Sequence, residues 1–200
     1  PGVAEASCTY EVLKAPVVTT GSGTQDLGVV KVTLPDTALF TYDTVTVSLP
    51  SDLSFVDKDG KADTTVNVVG SAVAKDGIQI VAPGGSDGLV AADFNETVCD
   101  ITGSNNFDIQ LADSVTPGTD KYFYIYFNGV NLNNMTGDVE VSFTAPANSG
   151  FSSSANLAIA KSTNSGSTTT TIKKVNQVND NGGAIDSITV LENAPGSINV

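Results

Sequence analysis

Apolar and polar residues alternate with a period of two in two neighbouring segments, 27–35 and 44–50. The apolar positions are Val30, Val32 and Leu34 in the first segment and Val45, Val47 and Leu49 in the second. This alternation predicts two β-strands, each with one buried face. Both segments end in Leu-Pro, and proline cannot donate to a β-ladder, so we expect each strand to end there. A second sheet must cover the apolar face that they form.

The segment 122–127 differs because both of its faces are apolar or aromatic. Tyr122, Tyr124 and Tyr126 share one face, and Phe123, Ile125 and Phe127 share the other. A strand of this kind is central in its sheet or lies under a partner. The tyrosine row could be a platform for stacking sugars, or it could pack in the core or in a subunit interface.

Helical periodicity is absent, and turn signals recur about every 8–12 residues, as in β-sandwiches. The pair Asp76-Gly77, between apolar residues, predicts a hairpin. We therefore predict an all-β fold over residues 1–175. It is an antiparallel β-sandwich of about ten strands, with Greek-key or jelly-roll-like links.

The C-terminal part of the chain reads as an addition to this domain. Residues 176–184 are rich in Asn and Gly and predict a linker. Residues 185–200 then recover strand character. The predicted subunit-interface residues of this extension are Ile185, Ile188, Val190 and Glu192. The extension is either a strand donated to another subunit or the start of a next module.

Composition narrows the possible partners and the location. The nine basic residues are all Lys, against 22 acidic residues, and the net charge is −13. Such a field repels a polyanion, so we expect no nucleic-acid partner. No apolar run approaches the roughly 18 residues of a membrane helix, so we expect no membrane span. The chain begins at Pro1, and we expect that a signal segment was removed or that the chain was trimmed.

Two cysteines, Cys8 and Cys99, predict one disulfide, and a disulfide would place the protein outside the cytosol. This disulfide would close a loop of roughly 90 residues, which stabilises the folded state by about 4 kcal/mol in the chain-entropy model. Two buried free thiols, or a bond between subunits, are the alternatives.

The acidic turn at 57–63 places Asp57, Asp59 and Asp63 around Gly60. Alternate carboxylates on a sharp turn favour a hard cation, so the turn is a candidate calcium site. It lacks the complete calcium-loop pattern and its bidentate Glu. A solvated acidic turn, partly neutralised by neighbouring lysines, is the alternative.

Two sequons, at Asn95 and Asn134, are candidate glycosylation sites. The chain has no His, so His-assisted serine or cysteine nucleophiles are not available. The carboxylates fall mostly in turns. We therefore expect no enzymatic activity.

The C-terminal pattern I-x-V-x-E-x-x-P-G-x-I runs from Ile188 through Val190 and Glu192 to Ile198. Together with the strands that end in Leu-Pro, it resembles β-sandwich stalk modules of bacterial surface proteins. These are modules of the surface-layer or cell-wall type, found beside copper amine oxidase-like domains. In that family the Glu-containing signature opens a module, whereas here it closes the chain. The resemblance implies a structural role and no catalytic residues.

The leading hypothesis is a secreted structural subunit at the cell surface. It would assemble head-to-tail with copies of itself into a filament, pilus-like fibre or surface layer by β-strand donation. One alternative is a lectin-like or adhesin module that binds glycan. Another is a passive stalk module of a larger cell-wall protein.

Overall fold

The structure, a computed structural model, describes residues 8–21, 23–35, 41–112, 115, 121–147, 149–164, 168–173 and 187–192. These residues contain fifteen strands, one 3-10 turn at Ala91–Asp93 and no α-helix. The strands are β1 Thr9–Lys14, β2 Val17–Thr20, β3 Thr24–Gln25, β4 Val29–Thr33, β5 Thr44–Ser48, β6 Ser54–Phe55, β7 Asn67–Val69, β8 Ile78–Val81, β9 Asn106–Gln110, β10 Tyr122–Phe127, β11 Val130–Asn131, β12 Gly137–Thr144, β13 Ser154–Asn164, β14 Thr168–Lys173 and β15 Ser187–Glu192. The all-β prediction is confirmed.

Two five-stranded sheets form the sandwich. The first has the order β1-β4-β10-β8-β7, and the second has the order β2-β13-β12-β5-β9. A small sheet, β3-β11-β6, completes this part of the chain. Most neighbours are antiparallel, but β7 pairs with β8, and β2 with β13, in parallel.

The core lies between the inner faces of the two large sheets. All six apolar positions of the two strands that end in Leu-Pro are buried, with at most 4% of any side chain exposed. Phe123, Ile125 and Phe127 on β10, and Phe107 and Ile109 on β9, are fully buried. Period-two alternation therefore identified the inner face of the two strands that end in Leu-Pro, because one side of each strand meets the opposite sheet.

The turn at Asp76-Gly77 does not form the predicted hairpin. Gly77 has a positive φ of 77°, as a tight turn requires, but the strand before the turn, β7, runs parallel to β8. The segment 70–77 instead crosses from one end of the sheet to the other, and β7 forms the sheet edge next to β8.

The number of strands is higher than the predicted ten. Several strands have only two or three residues, and so short a strand shows no alternation in the sequence.

The last two strands form a separate two-stranded sheet, which we call the ribbon. Strand β14 pairs antiparallel with β15 from Thr168 opposite Glu192 to Lys173 opposite Ser187. Strand β14 falls within the predicted sandwich domain, residues 1–175, yet it pairs with no strand of the two large sheets. The predicted linker, 176–184, and Ile185 lie outside the described residues.

Among the helices of the described residues, none is long and apolar enough to cross a membrane.

Candidate binding surface on the outer face of the first sheet

The tyrosines of β10 lie on the outer face of the first sheet, on the strand that is third of five. Tyr122, Tyr124 and Tyr126 are each half-buried and alternate with the fully buried side chains of the core. They therefore do not pack in the core, which was one reading of the row. We call the surface formed by these three side chains the tyrosine face.

A lysine and its neighbours complete the tyrosine face. Lys31 of β4 lies opposite Tyr124, and its Nζ is 4.5 Å from the centre of the Tyr122 ring. Glu11 of β1 lies on the other side of Lys31. The Tyr122 and Tyr124 rings meet edge to face, with centroids 5.3 Å apart. Desolvation, and then a hydrogen bond with Tyr122, raise the pKa of Tyr124. The face thus combines aromatic rings with a cation held against one of them.

A groove of about 450 Å³ lies at the Tyr126 end of this face. Leu13, which is 49% exposed although it belongs to β1, contributes to its wall. The residues that line the groove are Leu13, Lys14, Asp26, Leu27, Val29, Ala72, Ala74, Tyr126 and Asn128. We call it the Leu13 groove. Its walls are mainly apolar, with one cation and one anion, so it suits non-covalent binding of an apolar or aromatic surface.

One wall of the groove comes from the segment 70–77, which a buried glutamine holds in place. The Val73 N–H donates to Gln79 Oε1 at 2.7 Å, and Gln79 Nε2 donates to the Val73 carbonyl at 2.7 Å. Asn128 Nδ2 donates to the same carbonyl at 2.9 Å. Gln79 is 1% exposed, whereas the side chain of Val73 is 54% exposed. Buried amides therefore fix a loop that presents an apolar side chain to solvent.

Asp26 holds the far end of the same loop. Its carboxylate accepts the N–H of Lys75 at 3.0 Å and, more weakly, that of Gly129 at 3.4 Å. Lys75 has a positive φ of 55°, a conformation that costs energy in a residue other than glycine. The contact with Asp26 offsets this cost, so the loop is anchored at both Val73 and Lys75.

Two acids of the predicted calcium turn accept local backbone hydrogen bonds. Asp57 Oδ1 accepts the N–H groups of Asp59 at 2.9 Å and Lys61 at 2.8 Å. Asp63 Oδ1 accepts the N–H of Thr65 at 3.2 Å. These are side-chain caps of local turns, a common role of aspartate. In the part of the chain that the structure describes, no three His, Cys, Asp or Glu side chains group so that they could hold a metal ion.

The structure does not contain the predicted disulfide, because Cys8 and Cys99 are both free thiols. Cys8 Sγ contacts the Gly150 carbonyl at 3.3 Å, and Cys99 Sγ contacts the Gln110 carbonyl at 3.5 Å. Burial raises the pKa of Cys8 to about 12 and that of Cys99 to about 11. Two buried free thiols were one of the two stated alternatives, and the redox argument for a location outside the cytosol loses its basis.

The two sequons differ in accessibility. Asn95 Nδ2 donates to Gln110 Oε1 at 2.6 Å, and its Oδ1 accepts the Thr97 hydroxyl at 2.7 Å. Asn134, by contrast, is exposed in the turn before β12, as is Thr136.

Three of the predicted subunit-interface residues belong to β15 of the ribbon. Ile188 lies opposite Ile172, Val190 opposite Thr170 and Glu192 opposite Thr168. The strand predicted for donation thus pairs within its own chain.

Sequence reasoning missed the Leu13 groove and the hydrogen bonds by which Gln79 holds the segment 70–77. Nothing in the segment Ile78–Val81 marks Gln79 as more than the polar partner in an alternating strand. Its role depends on the segment 70–77, which folds over it. The Ala and Val residues of that segment give no signal in the sequence of a contact with Gln79.

No protein-family model matches the chain, and no curated protein matches it. Among solved structures it is similar to one described as BslA, a bacterial hydrophobin. The two sequences are 13% identical, and the similarity covers 78% of this chain and 98% of that chain, with a TM-score of 0.34. At this TM-score the likeness carries no argument.

Proposed function

We propose that the chain is an extracellular structural subunit that assembles head-to-tail with copies of itself. The ribbon is the observation that carries the proposal. An isolated two-stranded ribbon is at best marginally stable in water, and a third strand or a packing surface is needed to stabilise it. Within the described residues each ribbon strand pairs only with the other, so each leaves one edge open.

Addition of the ribbon to a second copy would supply that third strand. The donated element would then be a hairpin-like pair rather than the single strand that the sequence suggested. Main-chain hydrogen bonds provide the affinity in such β-augmentation, and alternate side chains provide the register. A contact between two different surfaces of the same chain propagates into a filament, a fibre or a layer when its rotation does not close a ring.

This role requires no chemistry beyond association, and we propose that the protein is not an enzyme. We place it outside the cell, at the surface, because its strongly acidic, β-rich and threonine-rich composition suits a surface protein. Calcium would act through the turn at 57–63.

The test is electron microscopy combined with light scattering of the full chain, with and without calcium. Ile188 and Val190 are alternate residues of β15, and Thr189 stands between them. We expect polymers from the wild type and from Thr189→Lys, and monomers from the Ile188→Lys/Val190→Lys variant. A wild type that stays monomeric at every concentration and calcium level refutes the proposal.

Glycan binding is a second candidate, and the tyrosine face beside the Leu13 groove favours it. Aromatic rings offer flat apolar surfaces on which sugars stack. Affinity electrophoresis in neutral polysaccharides tests it. Tyr126→Ala should abolish any retardation, whereas Tyr42→Ala, a change at an exposed tyrosine away from the face, should not. A chain that neither polymerises nor binds glycan is what the passive stalk hypothesis predicts.

A further inference from the structure

We infer that the free edge of β2 receives the ribbon of a second copy. This inference rests on the proposed self-assembly and specifies its acceptor. It comes from a comparison of the four edge strands of the sandwich, which are β1 and β7 in the first sheet and β2 and β9 in the second.

Strand β9 has no free edge to offer. The Asp108 N–H donates to the Asp100 carbonyl at 2.9 Å, and the Thr102 N–H donates to the Asn106 carbonyl at 3.0 Å. The Asn95 N–H reaches the Gln110 carbonyl at 2.9 Å. Neighbouring loops therefore already cover this edge over its whole length.

Strands β1 and β7 carry the features by which proteins discourage edge pairing. Strand β1 has two charged residues, Glu11 and Lys14, and its register shifts between Val12 and Lys14. Strand β7 has three residues. Charges, irregularities and short length all oppose the addition of a strand.

Strand β2 is also short, with four residues, but it carries no charge and no irregularity. Its sequence, Val-Val-Thr-Thr, is uncharged, and its pairing with β13 runs through all four residues without a shift. Val17 is 66% exposed, which is more than any other large apolar side chain in the described residues. An uncharged, regular edge with β-branched residues is well suited to strand addition.

The pairing with β13 shows which backbone groups of β2 are free. The Lys161 N–H donates to the Pro16 carbonyl at 2.9 Å, and the Thr163 hydroxyl donates to the Val18 carbonyl at 3.3 Å. Because backbone groups alternate in direction along a strand, the N–H and C=O of Val17 and Thr19 point away from β13. No described residue pairs with these four groups through the backbone.

The place where the chain leaves the sandwich fits this acceptor. Strand β13 ends at Asn164, opposite Thr20 of β2, and β14 of the ribbon begins at Thr168. Each copy thus carries an acceptor edge, β2, beside strand β13, and the ribbon follows β13 in the chain. Donation of each ribbon to the β2 edge of the next copy pairs the open edge of a ribbon strand with the open edge of β2.

Cysteine trapping tests the contact in the full-length protein. A Val17→Cys variant is mixed with a second variant that carries Thr170→Cys or Thr189→Cys in the ribbon, under mild oxidation. Leu13→Cys, at a similarly exposed position on edge strand β1, is the matched control. The native thiols are buried with raised pKa values and should react slowly. We expect cross-linked heterodimers with Val17→Cys and at least about tenfold fewer with Leu13→Cys.

Thr19→Pro gives a second, independent measurement. Proline removes an N–H that faces outward, so the bonds to β13 remain and the edge strand should tolerate it. We expect an unchanged unfolding temperature and at least about a tenfold rise in the concentration needed for polymers.

The outcomes separate the two proposals. Equal trapping with Leu13→Cys, or polymerisation of a folded Thr19→Pro variant at the wild-type concentration, overturns the assignment of β2 while self-assembly stands. If the wild type never polymerises, self-assembly itself fails, and the assignment fails with it.

Discussion

Replacement of Gln79 by Met tests whether the Gln79 amide holds the segment 70–77 in place. Met has a similar length and flexibility but no amide, so the change removes hydrogen bonds while it largely keeps the volume. Gln79 is almost fully buried, and its amide meets both backbone groups of Val73. The variant should therefore leave the loop with unsatisfied backbone groups.

The expected loss follows from which groups stay without a partner. The Val73 N–H loses its acceptor, Oε1 of Gln79. The Val73 carbonyl keeps its bond from Asn128, and the Asp76 carbonyl loses only a long contact of 3.2 Å. An unsatisfied buried donor costs about 1–3 kcal/mol, and the removal of a buried amide offsets part of that. We expect a destabilisation of about 2 kcal/mol, or a fall of about 4–8 °C in the unfolding temperature for a chain of this size.

Urea unfolding followed by circular dichroism measures this loss. Val73→Ala is the matched control, since it changes the exposed side chain of the same loop but leaves its backbone bonds intact; we expect a change within about 0.5 kcal/mol. Asn128→Ala should cost less than Gln79→Met. The double variant should be non-additive, because both amides donate to the Val73 carbonyl. If Gln79→Met is as stable as the wild type, the Gln79 amide does not hold the segment 70–77 in place.

Four further predictions address the thiols, the core and the sequons. A pKa of Cys8 raised from 9.0 to about 12 means that the native state keeps the thiol neutral while the unfolded state ionises. The contribution of Cys8 to stability is therefore complete below pH 9 and is lost as the pH rises from 9 towards 12. Cys8→Ala should flatten this part of the stability-against-pH curve, and an equally steep curve would show that the thiol is not its cause. At pH 8, Cys8 and Cys99 should react with a thiol reagent much more slowly in the folded protein than in urea; equal rates would contradict their burial. Phe123→Ala should cost about 3–5 kcal/mol in urea unfolding, because the ring is fully buried between the sheets; a loss below about 1 kcal/mol would contradict that placement. In a host that attaches N-glycans, mass spectrometry of peptides should find Asn134 occupied and Asn95 largely free, because the Asn95 amide is already hydrogen-bonded in the fold; the reverse occupancy would contradict this accessibility argument.

Period-two alternation was enough to predict the fold class and the inner faces of the main strands. Val30, Leu34, Val45 and Val47 all have the burial that their positions predicted, because a sandwich must bury one side of each strand. Alternation also identified the row of tyrosines. It did not show whether that row faces the core or solvent, since both sides of β10 are aromatic or apolar.

The pairings that bring distant segments together could not be predicted in this way. The turn at Asp76-Gly77 has the local chemistry of a hairpin, yet β7 joins the sheet parallel to β8. The two cysteines are consistent with a disulfide, yet their sulfur atoms contact different carbonyls. Both outcomes depend on contacts between residues far apart in the chain, and local sequence carries no information about them.

The sequence by itself determined that this protein is an acidic β-sandwich with a strand-forming C-terminal segment, because alternation, proline positions and charge are properties of the chain alone. Only the tertiary structure decided that the tyrosines lie outside the core, that Gln79 anchors an exposed loop and that β15 pairs with β14. It also decided which sheet edges are covered and which remain open. Edge exposure depends on which strands become neighbours, and that follows from packing the whole chain rather than from any one segment of it.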